Sequence, residues 1–327
     1  MIPVVVVPLI AQLVLPLALL GWVAFGHHPY RLHWWLTIAL AWAWIACIAL
    51  AGLWLVLPWY LFLVYAALLA VTIVATWRHM LALPRWPRGA PAWLGAALLA
   101  VLIAGSGALI VYALLGRLAP DTSVEVSFPL RNGTYLVVSG GGNQLVSAHA
   151  VTLGDDPSYR PWRGQSHGVD LVRLGTAGFR ARGLLPRAPE AYATFGDPVH
   201  APCSGSIVLA EDGLPDLPIP ERDREHLAGN HIILDCNGIW IVMGHLRRGS
   251  VRVAAGQDVE TGEIIGNVGN SGNSSEPHLH IHAQRPGSPG HPLSGDPLPI
   301  RFDARFLVRN QRVVRREPAP GGRQGRI

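Results

Sequence analysis

The first 120 residues contain no aspartate, glutamate or lysine, and their only formal charges are Arg31, Arg78, Arg85, Arg88 and Arg117. A water-facing surface cannot be assembled from such a segment, because exposed faces are where charged side chains normally sit. The apolar front reads instead as four membrane spans, at roughly 2–26, 34–57, 59–77 and 94–116, each near the ~20 residues that cross a ~30 Å hydrocarbon core. Pro58, in "VLPWY", marks the tight turn between the second and third. The first span lacks a basic leader and is followed by three more, which argues against a cleaved signal peptide. Tryptophans in "HWW", "PWY", "ATW" and "PAW" fall near the span ends, as interfacial anchors do.

The chain has no lysine, so its 26 basic residues are all arginine; five precede Asp121, and the remaining 21 match the 21 acidic residues that follow. The net charge of +5 therefore belongs to the apolar front. It is a topology signal rather than the footprint of a nucleic-acid binder, and no nucleic-acid partner is expected. The loop "HHPYRLH" carries one arginine, "RHMLALPRWPRGAP" carries three and the "LPWY" turn none. With four spans the two arginine-bearing loops share a side, and the positive-inside rule places them in the cytoplasm. The N-terminus and everything after Arg117 are then expected to face outward, with the lipid bilayer as the first partner.

Beyond about residue 122 short β-like runs alternate with glycine and proline turns. "SVEVSF", "TYLVVS", "GVDLVRL", "GSIVLA", "HIILD", "IWIVMGHL" and "HLHIHAQ" read as strands, and Asn237-Gly238 is a strong hairpin signal. The expected organisation is a four-helix transmembrane region over 1–118, a mainly antiparallel β domain over 119–310 and a flexible tail over 311–327. Two long connections, "GTAGFRARGLLPRAPEAYATFGDPV" and "EDGLPDLPIPERDREHLAG", are long enough to serve as functional walls. Cys47 lies in a span, whereas Cys203 and Cys236 lie in the outer part, where an oxidising compartment permits a disulfide; two free thiols are the alternative.

Ten of the fourteen histidines lie in this outer part. In "EPHLHIHAQ", His278, His280 and His282 occupy alternate positions and share one face of a strand. "SHGVDLV" offers His167 and Asp170, and "MGHL" offers His245. Two imidazoles and a carboxylate leave an open position on zinc, which suits catalysis rather than a structural site. Zinc so held acidifies water and polarises a carbonyl, while neighbouring histidines move protons. The same donors also fit a non-haem iron site, but that chemistry gives no role to extra histidines such as His245 and His278. A serine hydrolase is poorly supported, since no Gly-x-Ser-x-Gly elbow is present.

"SHGVDLV", "SGSIVLAEDG", "MGHL" and "GQDVETGEIIGNVGNSGNSSEPHLHIH" together resemble the M23 (lysostaphin-like or LytM-like) zinc metallopeptidases over about residues 165–284. The resemblance implies an M23-type β domain whose zinc is held by Asp170, His280 and a further histidine, with His245 and His278 as the catalytic pair. His282 falls where the family commonly has an acidic or polar residue, and it is read as a neighbour or surface residue rather than a ligand. The family usually spaces its first ligand as His-x-x-x-Asp, and Ser166 stands at that histidine position here. His167 is the preferred replacement, although a regular strand would turn it away from Asp170; His149, in "VSAHAV", is the rival. His200, His226, His231 and His291 are read as loop or strand-end residues without a direct role. Such enzymes act on peptidoglycan peptides outside the bacterial cytoplasmic membrane, so a multi-pass, outward-facing zinc endopeptidase is expected. The alternative is a catalytically inactive M23-like module that binds the wall or regulates a partner hydrolase.

Overall fold

The computed structural model describes residues 2–54, 56–288 and 290–316. The chain divides into two compact units, Met1–Leu118 and Ala119–Ile327. The first contains α1 (Ile2–Leu9), a π-helical turn at Ile10–Val14, α2 (Leu15–Phe25), α3 (Arg31–Ala51), α4 (Leu61–Leu81) and α5 (Ala90–Leu115). The segments Val6–Phe25, Arg31–Ala51, Leu61–Leu81 and Ala90–Leu115 are each long and apolar enough to cross a membrane. Trp34, Ile38, Ala41, Ile45 and Ile48 recur on α3 at helical spacing, and they pack with Leu20, Val23, Tyr65 and Leu69 into one buried seam. The π turn interrupts the first span between two prolines. Pro16 has no N–H to offer the Gln12 carbonyl four residues back, and that oxygen accepts from the Tyr65 hydroxyl at 2.8 Å.

The second unit is built from short strands. In chain order these are β1 (Val124–Val126), β2 (Gly133–Ser139), β3 (Val169–Arg173), β4 (Pro198–His200), β5 (Gly205–Glu211), β6 (Asn230–Asp235) and β7 (Trp240–Leu246). Then follow β8 (Asp258–Val259), β9 (Ile264–Asn267), β10 (Leu279–Gln284), β11 (Pro297–Leu298), β12 (Ile300–Phe302), β13 (Arg305–Phe306) and β14 (Arg312–Arg315). Nine of them form one antiparallel sheet, ordered β14-β2-β3-β10-β7-β6-β5-β8 with β11 beside β10. Asn237 and Gly238, both at positive φ, make the tight turn between β6 and β7.

Alternation gives the central strands two different faces. Leu279, Ile281 and Ala283 of β10 join Leu171, Ile232, Leu234, Ile241 and Met243 in the hydrophobic core. His280, His282 and Gln284 take the opposite face, which is buried as well. It is covered by two 3₁₀ segments, Ala148–Leu153 and Pro157–His167, that no apolar periodicity announces. Cys203 and Cys236 form a disulfide, and Cys47 is free.

The segment expected to be a flexible tail from 311 needs correction at its start. Arg312–Arg315 pair antiparallel with β2, and Val313 is buried in the core. One inward valine in "RVVR" between outward residues is too short a pattern to stand out in an arginine-rich stretch. Residues 317–327 of that expected tail lie outside the described residues.

Candidate metal centre

The site is assembled on the polar face where β3, β10 and β7 lie side by side. His280 is the direct cross-strand partner of Asp170 on β3 and of Gly244 on β7. Its Nδ1 lies 2.9 Å from Asp170 Oδ1. His149 reaches the same carboxylate from the first 3₁₀ segment, with Nε2 2.9 Å from both oxygens. One donor atom from each of His149, Asp170 and His280 lies within 4.8 Å of the others. Burial opposes charge on Asp170, but the His149 and His278 imidazoles and hydrogen bonds from His149 and His280 hold its carboxyl well below the usual range. Burial lowers His280 to about 4, and the nearby His149 adds to that effect. The site therefore combines a buried carboxylate with a His280 ring whose burial favours the neutral form. This donor set suits a divalent cation of borderline softness, which would neutralise charge that the imidazoles leave uncompensated.

His167 does not join this cluster. It ends the second 3₁₀ segment, and its Nδ1 is buried without a hydrogen-bond partner among the described residues. Gly168 explains the exclusion. A Cβ placed there would lie 2.6 Å from His280 Cε1 and 3.1 Å from His149 Cδ2, so the direction a side chain would take at 168 points into the site. Asp170 follows two residues later on the same face, and His167 contributes no atom to the donor group. His149 occupies the place instead, from 21 residues upstream of Asp170.

Ser166 stands where the resemblance led us to expect a histidine, and it is fully buried. Its hydroxyl lies 2.8 Å from that of Thr152, which donates to the His149 carbonyl at 2.8 Å. The loop leading to His149 is clamped by Arg309, whose guanidinium donates to the carbonyls of Val138 and Leu145 at 2.9 and 2.8 Å. These contacts join residues far apart in sequence, and no spacing motif signals them.

His245 and His278 face the cluster together, with ring centroids 4.7 Å apart. His278 Nε2 lies 3.7 Å from Asp170 Oδ1. Strict alternation along β7 would send His245 to the core face with Met243. At this point, however, β7 places Gly244 and His245 opposite the single residue His231 of β6, and His245 adopts φ +61°. This bulge keeps His245 on the site face while Leu246 returns to the core. A non-glycine residue in the left-handed region costs about 1–3 kcal/mol, which the surrounding fold must supply.

Backbone carbonyls fix the orientation of both rings. His245 Nδ1 meets Ser271 O at 2.9 Å, and His278 Nδ1 meets Glu276 O at 2.8 Å. A carbonyl only accepts, so each Nδ1 carries the proton and each neutral ring turns its Nε2 lone pair away from the backbone. Burial, with the neighbouring His278 and His280, lowers the His245 pKa well below its ordinary value. Glu276 is held in turn by a buried ion pair with Arg180 of the first long connection, a pairing with no sequence signal.

His282 is not a surface residue. It is 2 % exposed, and its Nδ1 lies 2.8 Å from His280 Nε2. His200 and His231 make backbone contacts, His226 pairs with Asp223, and His291 lines a surface cavity; none of the four enters the donor cluster.

An antiparallel sheet here carries a histidine and carboxylate cluster that could hold a metal ion, under two further imidazoles. Residues 190–292, within the second unit, match the model of Peptidase family M23. The match contains His245, His278 and His280, whereas His149 and Asp170 precede it. Endolysin 2638A of Staphylococcus phage 2638A is 33% identical over 99 residues, which are 30% of this chain and 18% of that protein. The DD-carboxypeptidase/endopeptidase Mpg of Neisseria meningitidis serogroup B is 33% identical over 103 residues, 31% of this chain and 20% of that protein. The chain thus spans about a fifth of the length of these curated relatives. Among solved structures, the catalytic domain of lysostaphin from Staphylococcus simulans is 26% identical, covering 38% of this chain and 71% of that one with a TM-score of 0.25.

Proposed function

We propose that the chain is a membrane-anchored zinc metalloendopeptidase that hydrolyses peptide bonds of peptidoglycan outside the cytoplasmic membrane. The observation that carries this reading is the donor cluster of His149, Asp170 and His280, faced by His245 and His278. His149 supplies the donor that the altered spacing around Asp170 put in question, and a complete set favours an enzyme over a wall-binding module. Zinc held by these three residues would supply Lewis acidity toward a scissile carbonyl and toward water.

The chain's own residues would handle the protons. The Nε2 lone pair of His278, set by the Glu276 carbonyl, accepts a proton from the attacking water. The new O–C bond forms as the carbonyl π bond opens, and the protonated Nε2 then donates to the oxyanion or to the leaving nitrogen. His245, whose buried site favours the neutral ring, offers its Nε2 lone pair to the hydroxyl proton left on the tetrahedral carbon and passes it to the amine as the C–N bond breaks. Water is consumed, and one amine and one carboxylate are produced.

Outward placement of this domain is supported by the arginines in the two loops on one side of the four spans and by the Cys203–Cys236 disulfide. The endolysin and endopeptidase relatives support a wall peptide as substrate. The test is to incubate the full chain, reconstituted in lipid, with purified peptidoglycan and to identify released peptides by mass spectrometry, with metal content measured on the same sample. New peptide termini that require zinc are expected. Intact muropeptides from a zinc-loaded sample would overturn the proposal.

A further inference from the structure

The polar face of β10 carries a row of hydrogen bonds that ends on a backbone carbonyl. Gln284 Nε2 donates to Pro292 O at 2.7 Å. Because that carbonyl can only accept, the Gln284 amide is fixed with its oxygen on the far side, 3.2 Å from His282 Nε2. An amide oxygen also only accepts, so His282 Nε2 carries the proton. The neutral His282 ring then presents Nδ1 as a lone pair, 2.8 Å from His280 Nε2, which must donate. His280 is left with its lone pair on Nδ1, directed at the Asp170 carboxylate.

We propose that His282 and Gln284 are positioning residues that lock His280 in the tautomer able to bind a metal ion through Nδ1. The inference rests on reading His149, Asp170 and His280 as a metal site. A histidine and aspartate left to themselves would close on each other, with Nδ1–H donating to the carboxylate. The row opposes this, and the arrangement it favours sets the His280 Nδ1 lone pair against the Asp170 oxygen, two acceptors that a cation would reconcile. If His280 moved its proton to Nδ1, two lone pairs would meet between His280 and His282; if His282 followed, its Nε2 lone pair would meet the Gln284 oxygen. Either arrangement leaves buried acceptors opposed, since His282 is 2 % exposed and Gln284 fully buried. The fold builds a slot for the amide: a Cβ at Gly164 or at Gly295 would collide with it.

The test compares two substitutions of equal size in the full chain reconstituted in lipid. His282→Asn places an acceptor oxygen where Nδ1 stood, whereas His282→Leu has the same shape without an acceptor. Zinc affinity, read by chelator competition, should fall roughly 10- to 100-fold in His282→Leu and stay within about threefold of wild type in His282→Asn. Equal losses in both, or none in either, would overturn the proposal. Because a variant can fail to fold, the second measurement uses the wild-type chain, stripped of metal and labelled with ¹⁵N-histidine. His282, recognised by its contact with the His280 ring, should show a protonated Nε2 and a bare Nδ1. A protonated Nδ1 on His282 would overturn the relay. Wild-type protein that binds no zinc would instead overturn the metal reading, and the nitrogen spectrum would still decide the relay.

Discussion

Asp170 and His280 face each other across two adjacent strands, with carboxylate and imidazole 2.9 Å apart. Their sequence separation is 110 residues, so the β3–β10 register alone makes them neighbours. That register also decides which other groups reach them.

His149 rather than His167 completes the donor set. His149→Ala should lower zinc affinity by at least roughly tenfold and abolish peptide release, while His167→Ala should keep both within about threefold of wild type. Zinc competition on the two variants checks this, and the opposite ranking would move the first ligand back to His167.

His245 and His278 are expected to move protons without holding metal. His245→Ala and His278→Ala should retain zinc at wild-type stoichiometry and lose roughly 100- to 10,000-fold in turnover. Elemental analysis beside a peptide-release assay separates the two effects, and loss of zinc in either variant would contradict the assignment.

Gly168 is required by space, not by backbone conformation. A methyl group there would lie 2.6 Å from Cε1 of the His280 ring, which hydrogen bonds hold on both sides, and 2.9 Å from the Gln165 carbonyl oxygen. Gly168→Ala should destabilise the second unit by about 1–3 kcal/mol and weaken zinc binding. Thermal unfolding and metal titration of this variant would show neither change if the ring has room to move.

The metal-free protein should lose stability on acidification. Burial, followed by the influence of His149, brings His280 to about 4 in the folded state against an ordinary value of 6.5. Between those values the unfolded chain binds more protons than the folded one, so this contribution is full above about 6.5 and is lost as pH falls toward about 4. Integrated over that window it is on the order of 3 kcal/mol. Asp170, held well below the usual carboxylate range, adds a further loss at lower pH, of the same sign. Melting temperatures of stripped protein across pH 7 to 4 test this, and a flat profile would refute it.

The four apolar helices, the alternating faces of β10 and the Asn237-Gly238 turn were all legible in sequence, because each depends on residues close along the chain. His245, His278, His280 and Asp170 were legible through the motifs that carry them. Alternation alone does not give the orientation of His245: a bulge at Gly244–His245 reverses the face it would otherwise take. Such a bulge depends on how β6 and β7 pair, which no residue pattern within β7 announces.

The amino-acid sequence by itself determined that an apolar, acid-free front of four long helices precedes a β domain with its histidines on one strand face. Periodicity and charge act locally, and they are present before the chain folds. Only the tertiary structure decided that His149 meets Asp170, that His167 turns away and that His282 backs His280. Those outcomes follow from register between distant strands and from the space that Gly168 leaves, quantities that exist only once the sheet has closed.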